Sequence, residues 1–382
     1  MKKSLAAPFV FWLSAELVLF AAFVFADSAA AFGTFIVLLI AAALSYATCF
    51  YQRKHISAEV SLPLTAEKNT EITGKLSIKS SSRLPILKLI CRLDSHNHLT
   101  GEKTSTVLSL SSAPNAGSEA VFSLSSKNCG YITVKTENIW ITDIFGFLPL
   151  RVREFSSSKA KTTVLPETFA TEIVFDAVPP VSEESESYSP DRKGNDFSET
   201  FQLREYAEGD SMKQIHWKLS EKLDKLIVRD PSLPVEKNIL LFWDKTANTV
   251  ITPREMDAMA EVTASIAQSL CRMGIKFVLG WNDGKKTSFE DIKDTKDVVA
   301  AIPRLIKSKA EKGTEKFSEG LGDLRFSKII FVTKEISDAA EALSTRSSVN
   351  FLLCSTAASA DNAVVFGPES YAEDLKMLEL TT

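Results

Sequence analysis

The sequence predicts an α+β multidomain protein: a two-helix transmembrane hairpin, an antiparallel β-sandwich and a doubly wound α/β domain. Three observations support this. Two long apolar runs come first, short strands of alternating polarity follow them, and apolar strands then alternate with helical segments. The predicted divisions are the hairpin 1–54, the sandwich 55–176, a linker 177–193, a central motif 194–236 and the α/β domain 237–382.

Composition excludes some classes of function. The chain of 382 residues has a formal net charge of −4, without the basic excess that a phosphate-binding surface needs. Nucleic acid is therefore not an expected partner. The five cysteines are scattered and none form a Cys-x-x-Cys pair, which argues against a disulfide framework or a zinc cage and fits a reducing compartment.

The two apolar runs, Ala6–Phe25 and Ala29–Phe50, are each long enough to cross a bilayer as a helix. Two lysines precede the first run and Arg53 and Lys54 follow the second, whereas the turn between them carries only Asp27. By the positive-inside rule we expect a multi-pass protein of the cell membrane, with both termini and the soluble domains in the cytoplasm.

Two features of the first run leave alternatives open. The residues ending at Ala26 resemble a signal-peptidase site, although the second run would still stop transfer and keep this orientation. Glu16 lies in the middle of the first run, where an ionised carboxylate is costly. We interpret it as a helix-packing residue, because a proton relay would need an ionisable partner that the second run lacks.

The segment 55–176 alternates polar and apolar residues between turn-rich joints, which is typical of an antiparallel sandwich. Residues 178–187 are acidic, polar and proline-bearing, as in a linker. From Asn238 onward the apolar strands alternate with helices near 253–273, 297–305 and 337–343, which predicts a parallel sheet. The six predicted sandwich strands are Ala58–Leu62, Glu71–Ile78, Ile86–Leu93, Ser105–Leu110, Glu119–Leu124 and Tyr131–Val134.

The motif between Gly194 and Arg229 holds the densest cluster of specific residue types. Gly209 permits a turn, and Asp210 or Ser211 can cap a helix that begins after it. Ile215, Leu219 and Leu223 then recur at helical spacing. We expect one short helix here, followed by the strand Leu226–Val228.

This motif resembles that of a bacterial family catalogued as a domain of unknown function, number fifty-eight. The family pattern has aspartate before the tryptophan, and this chain has His216 there. The turn Asp143–Phe147 also resembles the family's Asp-Pro-Phe-Gly-Leu, with isoleucine in place of proline. The matching residues are Phe197, Leu203, Arg204, Tyr206, Gly209, Asp210, Ile215, Trp217, Lys218, Ser220, Leu226, Val228 and Arg229.

The resemblance implies a von Willebrand factor type A-like fold for 237–382. Such domains hold Mg²⁺ through oxygen ligands that follow the first strand, and here Asp244, Thr246 and Asn248 have that spacing. Lys245 lies among them and Lys334 stands where another aspartate would be. We therefore expect no cofactor, with Mg²⁺ as the one candidate and a loop that caps the next helix as the alternative.

Two functions remain open at this stage. The first is a membrane-anchored cytoplasmic scaffold for protein binding, which by resemblance works with a MoxR-type AAA ATPase in assembly or maturation of other proteins at the cell envelope. The alternative is a hydrolase with its active site between Arg204 and His216. The motif lacks a nucleophile elbow and a phosphate loop, so we expect no catalytic residues. The candidate binding residues are Arg204, Glu205, Tyr206, Gly209, Asp210, His216, Trp217 and Lys218.

Within the motif we expect a structural junction between the sandwich and the α/β domain. Arg204 can pair with Asp210 or Glu205, and Trp217 is predicted as the buried apolar anchor. Its replacement by alanine would then cost about 3–5 kcal/mol.

The charge pattern gives a topology prediction. Cysteine labelling of Asp27→Cys from outside the cell should succeed, and labelling of a cysteine added after Thr382 should fail until the membrane is permeabilised. External labelling at the C-terminal position would contradict the orientation.

Overall fold

A computed structural model describes residues 2–143, 145–146, 149–152, 158–175, 188–207, 210–234, 239–311, 326–345, 347–355 and 363–380. Side chains are described for all of these residues except 2–8, 188–201 and 231–234. The chain divides into two compact units, Met1–Leu165 and Pro166–Thr382. Of the predicted linker, residues 177–187 lie outside the described residues. Residues 188–193, which the sequence analysis assigned to the linker, form the start of a strand.

The first unit begins with the helices α1 (Lys2–Ala26) and α2 (Ala29–Gln52), each long and apolar enough to cross a membrane. The turn between them is formed by Asp27, which has a positive φ, and by Ser28, which caps α2. Rings of Phe23 and Phe32 pack across the hairpin, with 4.5 Å between centroids. Glu16 is buried, and no described residue donates a hydrogen bond to its carboxyl oxygens.

Two sheets complete the first unit, and side chains from both share one hydrophobic core. All six predicted strands are present, several of them longer than predicted. Burial alternates along them, as in β1 and β3, because neighbouring side chains point to opposite faces. One sheet has the order β1-β3-β6 and the other β2-β9-β7-β4-β5, with β8 paired to β7. The strands are β1 (Ile56–Ser61), β2 (Thr65–Ala66), β3 (Glu71–Ser80), β4 (Ile86–Asn97), β5 (Lys103–Ser112), β6 (Gly117–Ser125), β7 (Gly130–Thr142), β8 (Pro149–Arg151) and β9 (Lys159–Val164). In the predicted Asp143–Phe147 turn, residues 144 and 147 lie outside the described part.

The second unit opens with the strand β10 (Glu172–Phe175), which the sequence had placed in the sandwich. It instead pairs in parallel with β19 (Met377–Leu380). The pairing buries Ile173 and Leu378. Local sequence patterns do not predict this contact, because the two strands are far apart in the chain. The motif forms the antiparallel pair β11 (Tyr188–Glu205) and β12 (Ile227–Pro234).

A six-stranded sheet with the order β15-β14-β13-β16-β17-β18 fills the rest of this unit. Its strands are parallel except for β15, which forms a hairpin with β14. Every residue of β13 and β16 is buried, as expected for strands covered on both faces. The strands are β13 (Ile239–Trp243), β14 (Phe277–Asp283), β15 (Lys286–Ile292), β16 (Lys328–Thr333), β17 (Ser348–Cys354) and β18 (Ala363–Phe366).

The helices of this unit begin at capping residues that the sequence provides. Thr252 and Glu255 form a capping box at the start of α4, and Asp294 and Asp297 do the same for α5. The helices are α3 (Trp217–Leu223), α4 (Pro253–Arg272), α5 (Thr295–Leu305), α6 (Asp338–Glu341) and α7 (Tyr371–Asp374), with 3₁₀ turns at Met212–Gln214 and Ala342–Thr345. The three predicted helices of the α/β domain correspond to α4, α5, and α6 with its 3₁₀ turn.

Topology explains why one edge of this sheet is of functional interest. From β13 the chain continues to β14 on one side, whereas β16 lies on the other side of β13. In open α/β sheets, ligands bind beyond the carboxyl ends of the strands at such a reversal of strand order. The residues that follow β13 and β16 therefore lie where a ligand site is expected.

The start of β7 gives a stability prediction. Gly130 has a φ of +138°, and a Cβ there would lie 2.3 Å from Asn97 Oδ1. We expect Gly130→Ala to lower the free energy of unfolding by about 2 kcal/mol in chemical denaturation. Gly117→Ala is the control, since its Cβ would meet only Ile78 O at 3.5 Å. Equal stability of the two variants would contradict the prediction.

Candidate functional site

The two strands of the motif bring its polar residues together. In the antiparallel register, Gln202 lies opposite Asp230 and Arg204 opposite Val228. Side chains alternate along a strand, so Gln202, Arg204 and Asp230 share one face. The pairing thus joins residues that are 26 or more positions apart in the sequence.

Arg204 is the centre of this network. Its two terminal nitrogens donate to the two oxygens of Asp210, each at 2.6 Å, and its Nε donates to Asp230 Oδ2 at 3.1 Å. Gln202 also donates to Asp230 Oδ2, at 3.0 Å. The bidentate pair between Arg204 and Asp210 is as predicted. Hydrogen bonds from Arg204 to Asp210, and then to Asp230, raise the pKa of the guanidinium, which keeps it charged.

Asp230 is the residue of this network that the sequence analysis missed. It is only 3% exposed, directly follows the matched Arg229, and becomes a partner only through the strand register. Glu205, the other predicted partner of Arg204, instead accepts from Lys225 Nζ at 2.7 Å. This second pair is exposed on the surface.

The predicted single helix of the motif is two shorter elements. Ser211 caps the 3₁₀ turn Met212–Gln214, and Ile215 then adopts extended dihedrals and bridges to Val228. Helix α3 starts afterwards, with His216 as its N-cap. The spacing of apolar residues did not reveal this break, because Ile215 is buried against a strand and not along a helix.

His216 supplies an acceptor where the family pattern has aspartate. Its Nδ1 accepts a hydrogen bond from Leu219 N at 3.3 Å. An aspartate oxygen at an N-cap accepts in the same way, which explains how the exchange preserves the helix start. We expect His216→Ala to cost about 1 kcal/mol, which is typical for the loss of an N-cap.

Trp217 is not the buried anchor that the sequence predicted. It is 62% exposed. The inward-facing residue of α3 is Ser220, whose Oγ accepts from Ile227 N at 2.9 Å, and the apolar burial comes from Ile215, Ile227 and Val228. The predicted loss of 3–5 kcal/mol on Trp217→Ala therefore does not apply to this side chain.

Several large apolar side chains of the motif are exposed together with Trp217. Lys218 is exposed as well, and Gly209 lies outside the described residues. Large aromatic and aliphatic side chains left in solvent are typical of surfaces that bind other proteins. The exposed apolar residues of this segment are Leu203, Tyr206, Met212, Trp217, Leu223 and Leu226.

A second candidate site lies at the carboxyl ends of β13, β16 and β17. An open cleft of about 560 Å³ is found there, and all three predicted metal ligands, Asp244, Thr246 and Asn248, line it. Glu335, which the sequence analysis did not single out, is also in the lining. The full lining is Asp244, Thr246, Ala247, Asn248, Lys334, Glu335, Ile336, Ser337 and Leu353.

The two lysines near this cleft have partners of their own. Lys245 is buried and donates to Leu305 O at 2.5 Å and Ser308 O at 2.9 Å, which places its charge at the end of α5. The ammonium is thus bonded to carbonyl groups of another segment, although the residue itself lies in the ligand loop. Lys334 does line the cleft, where its Nζ donates to Glu255 Oε1 at 2.6 Å. Burial alone would raise the pKa of Glu255, but the bond from Lys334 contributes to a net lowering.

The side chains at the cleft do not fit Mg²⁺. Thr246 Oγ1 donates to Asp244 Oδ1 at 2.6 Å, so these two oxygens bind each other. The ammonium of Lys334 lines the same space and donates to Glu255, so the cleft already accommodates one ammonium group. Within the described residues, no three His, Cys, Asp or Glu side chains are arranged to hold a metal ion. An octahedral ion needs several convergent oxygens that are free to bind it, which Asp244 Oδ1 and Thr246 Oγ1 are not.

The chain thus combines an apolar helical hairpin, a β-rich unit and an α/β unit that carries the motif. Residues 202–326 match the model of a family described as "Protein of unknown function DUF58". The match covers the end of β11 with Arg204, the strand β12 and the strands β13 to β15 of the following sheet, and it supports the resemblance found in the sequence.

Comparison with other proteins adds little. A CARDB domain from Pyrococcus furiosus is 12% identical, with a TM-score of 0.22 over 29% of this chain and 87% of that one. An alkylpurine DNA glycosylase from Pseudomonas fluorescens is 13% identical, with a TM-score of 0.20 over 28% of this chain and 30% of that one. Scores this low carry no inference about this chain. No curated protein matches it.

The network predicts which motif residues stabilise the fold. Arg204→Ala should lower the unfolding temperature, because it removes the guanidinium that bridges Asp210 and the buried Asp230. Asp230→Asn should cost about 2 kcal/mol, because the negative charge that accepts from Arg204 and Gln202 is lost. Trp217→Ala and the surface-pair variant Lys225→Ala should change stability little, since both side chains are exposed. A Trp217→Ala protein that melts well below the parent would show that the ring is a core residue.

Proposed function

We propose that the protein is a membrane-anchored interaction protein, in which the segment 202–230 presents a surface to a protein partner. The observation that supports this most is that the polar side chains of the motif are bonded to one another while its large apolar side chains are exposed. Arg204, Asp210 and Asp230 form one network, and His216 caps a helix.

A hydrolase would need a different arrangement. A general acid or base must reach the substrate, and a nucleophile must be activated by a neighbouring base. In the motif, both oxygens of Asp210 accept from Arg204, and the Nδ1 of His216 accepts from the backbone of α3. These groups are committed to holding the segment together, which favours binding over catalysis.

The exposed side chains are well suited to binding. Tryptophan and tyrosine contribute large contact areas with few rotatable bonds and are enriched among the residues that dominate protein interfaces. Trp217 and Met212 are both well exposed, 62% and 71%. The network of Arg204, Asp210 and Asp230 restrains the backbone of the same segment, so less conformational entropy is lost when the segment binds a partner.

We propose a MoxR-type AAA ATPase as the partner, on the basis of the family resemblance. In this proposal α1 and α2 anchor the chain to the cytoplasmic face of the cell membrane, the β-rich unit is a sandwich that acts as a spacer, and the pair assists assembly or maturation of other proteins at the envelope. The two apolar helices support the anchor. The parallel order of the sheet, with Asp244 after its first strand, supports a von Willebrand factor type A-like fold.

Binding by the motif can be tested with the full chain in detergent and a purified MoxR-type ATPase of the same organism. Trp217→Ala and Met212→Ala should each weaken binding by about tenfold without lowering the unfolding temperature. Met273→Ala is the control, since Met273 is exposed outside the motif.

Two outcomes would contradict the proposal. Unchanged binding by the Trp217 and Met212 variants would remove the motif from the interface. A hydrolytic activity of the parent that His216→Ala alone abolishes, with its fold intact, would make the motif an active site.

A further inference from the structure

The cleft beyond β13 and β16 contains an oriented carboxylate without a complete set of partners. Asp244 is only 5% exposed. Its Oδ1 accepts three hydrogen bonds, from Thr246 N at 2.8 Å, Thr246 Oγ1 at 2.6 Å and Asn282 Nδ2 at 2.6 Å. No described residue donates to its Oδ2, although Asp244 lines the cleft. The side chain is thus fixed through Oδ1, and Oδ2 can accept a hydrogen bond from a ligand in the cleft.

Glu335 provides a second negative charge in the same cleft. Its Oε2 accepts from Asn248 N at 2.7 Å, and this bond comes first among the causes that lower the pKa of Glu335. The ammonium of Lys334 also lines the cleft, where it donates to Glu255 Oε1 at 2.6 Å. The lining therefore contains two carboxylates, Asp244 and Glu335, and one ammonium whose hydrogen bond goes to a third carboxylate outside the lining.

The rest of the lining indicates what kind of cation fits. Ala247, Ile336 and Leu353 are apolar and contribute to the wall of the cleft. A hydrated metal ion gains nothing from such a wall. A lysine or arginine side chain does, because its methylene stem packs on apolar surface while its charged end makes hydrogen bonds. The cleft of about 560 Å³ is large enough for one such side chain with its neighbouring residues.

We propose that this cleft binds one basic side chain, an ammonium or a guanidinium carried by a protein partner, with Asp244 and Glu335 as its ligands. The charged end would reach Asp244 Oδ2 at the bottom of the cleft, and the stem would lie against Ile336 and Leu353. The proposal concerns a site separate from the motif and does not depend on the role of Trp217.

The test uses the full chain in detergent and three blocked five-residue peptides, with a central arginine, lysine or citrulline. Calorimetric titration should show saturable binding of the arginine or the lysine peptide and none of the uncharged citrulline peptide. Preference between the two basic peptides identifies the guanidinium or the ammonium as the ligand. Asp244→Asn and Glu335→Gln should each weaken binding by about tenfold or more. Asp244→Asn should unfold at the same temperature as the parent, because asparagine can keep the three bonds at Oδ1.

Glu341→Gln is the matched control, since it removes an exposed charge outside the cleft and should not affect binding. Glu335→Gln decides the question if Asp244→Asn does not fold. Equal affinity for the arginine and citrulline peptides, or unchanged binding by both cleft variants, would overturn the proposal. So would micromolar binding of Mg²⁺ that displaces the peptide, because the cleft would then be a metal site.

Discussion

The motif depends on one guanidinium that bridges two carboxylates. Arg204 lies on one strand, Asp230 on its partner strand and Asp210 in the segment that leads to α3. Three backbone segments are therefore fixed by a single side chain. The flat fork of arginine can serve both carboxylates at once, which a lysine ammonium cannot do with the same geometry.

Much of the secondary structure follows from sequence periodicity. The six alternating strands of the first unit and the three helices of the α/β sheet were predictable, because burial on one face imposes a period of two residues on strands and about 3.6 on helices. The pairing of β10 with β19 was not predictable, since these strands are 205 positions apart and the partner of a short strand is chosen by tertiary packing. The same holds for residues 188–193, whose polarity suggested a linker but which pair with β12.

For the candidate sites, local geometry was predicted better than burial. The pair of Arg204 with Asp210 follows from a short separation and a turn. The burial of Trp217 was predicted wrongly, because a large aromatic side chain was expected in the core, whereas the buried residue of α3 is Ser220. Asp230 and Glu335 were missed, since the first depends on a strand register and the second on the meeting of two strand ends. Lys245 points away from the loop because the carbonyls at the end of α5 attract its charge.

The contact between β10 and β19 also bears on how the second unit is made. Thr171 Oγ1 donates to Leu375 O at 2.5 Å and Glu172 N to Lys376 O at 2.9 Å, so the strand pair is joined by bonds at its beginning as well as along its length. During synthesis, residues 171–175 leave the ribosome about 200 residues before their partners. At a rate of about 5–20 residues per second, they stay unpaired for about 10 s or longer. The two helices that are long and apolar enough to cross a membrane emerge earlier still. They leave the ribosome long before this unit closes, and a chain that ends before Met377 would leave Ile173 without the strand that covers it.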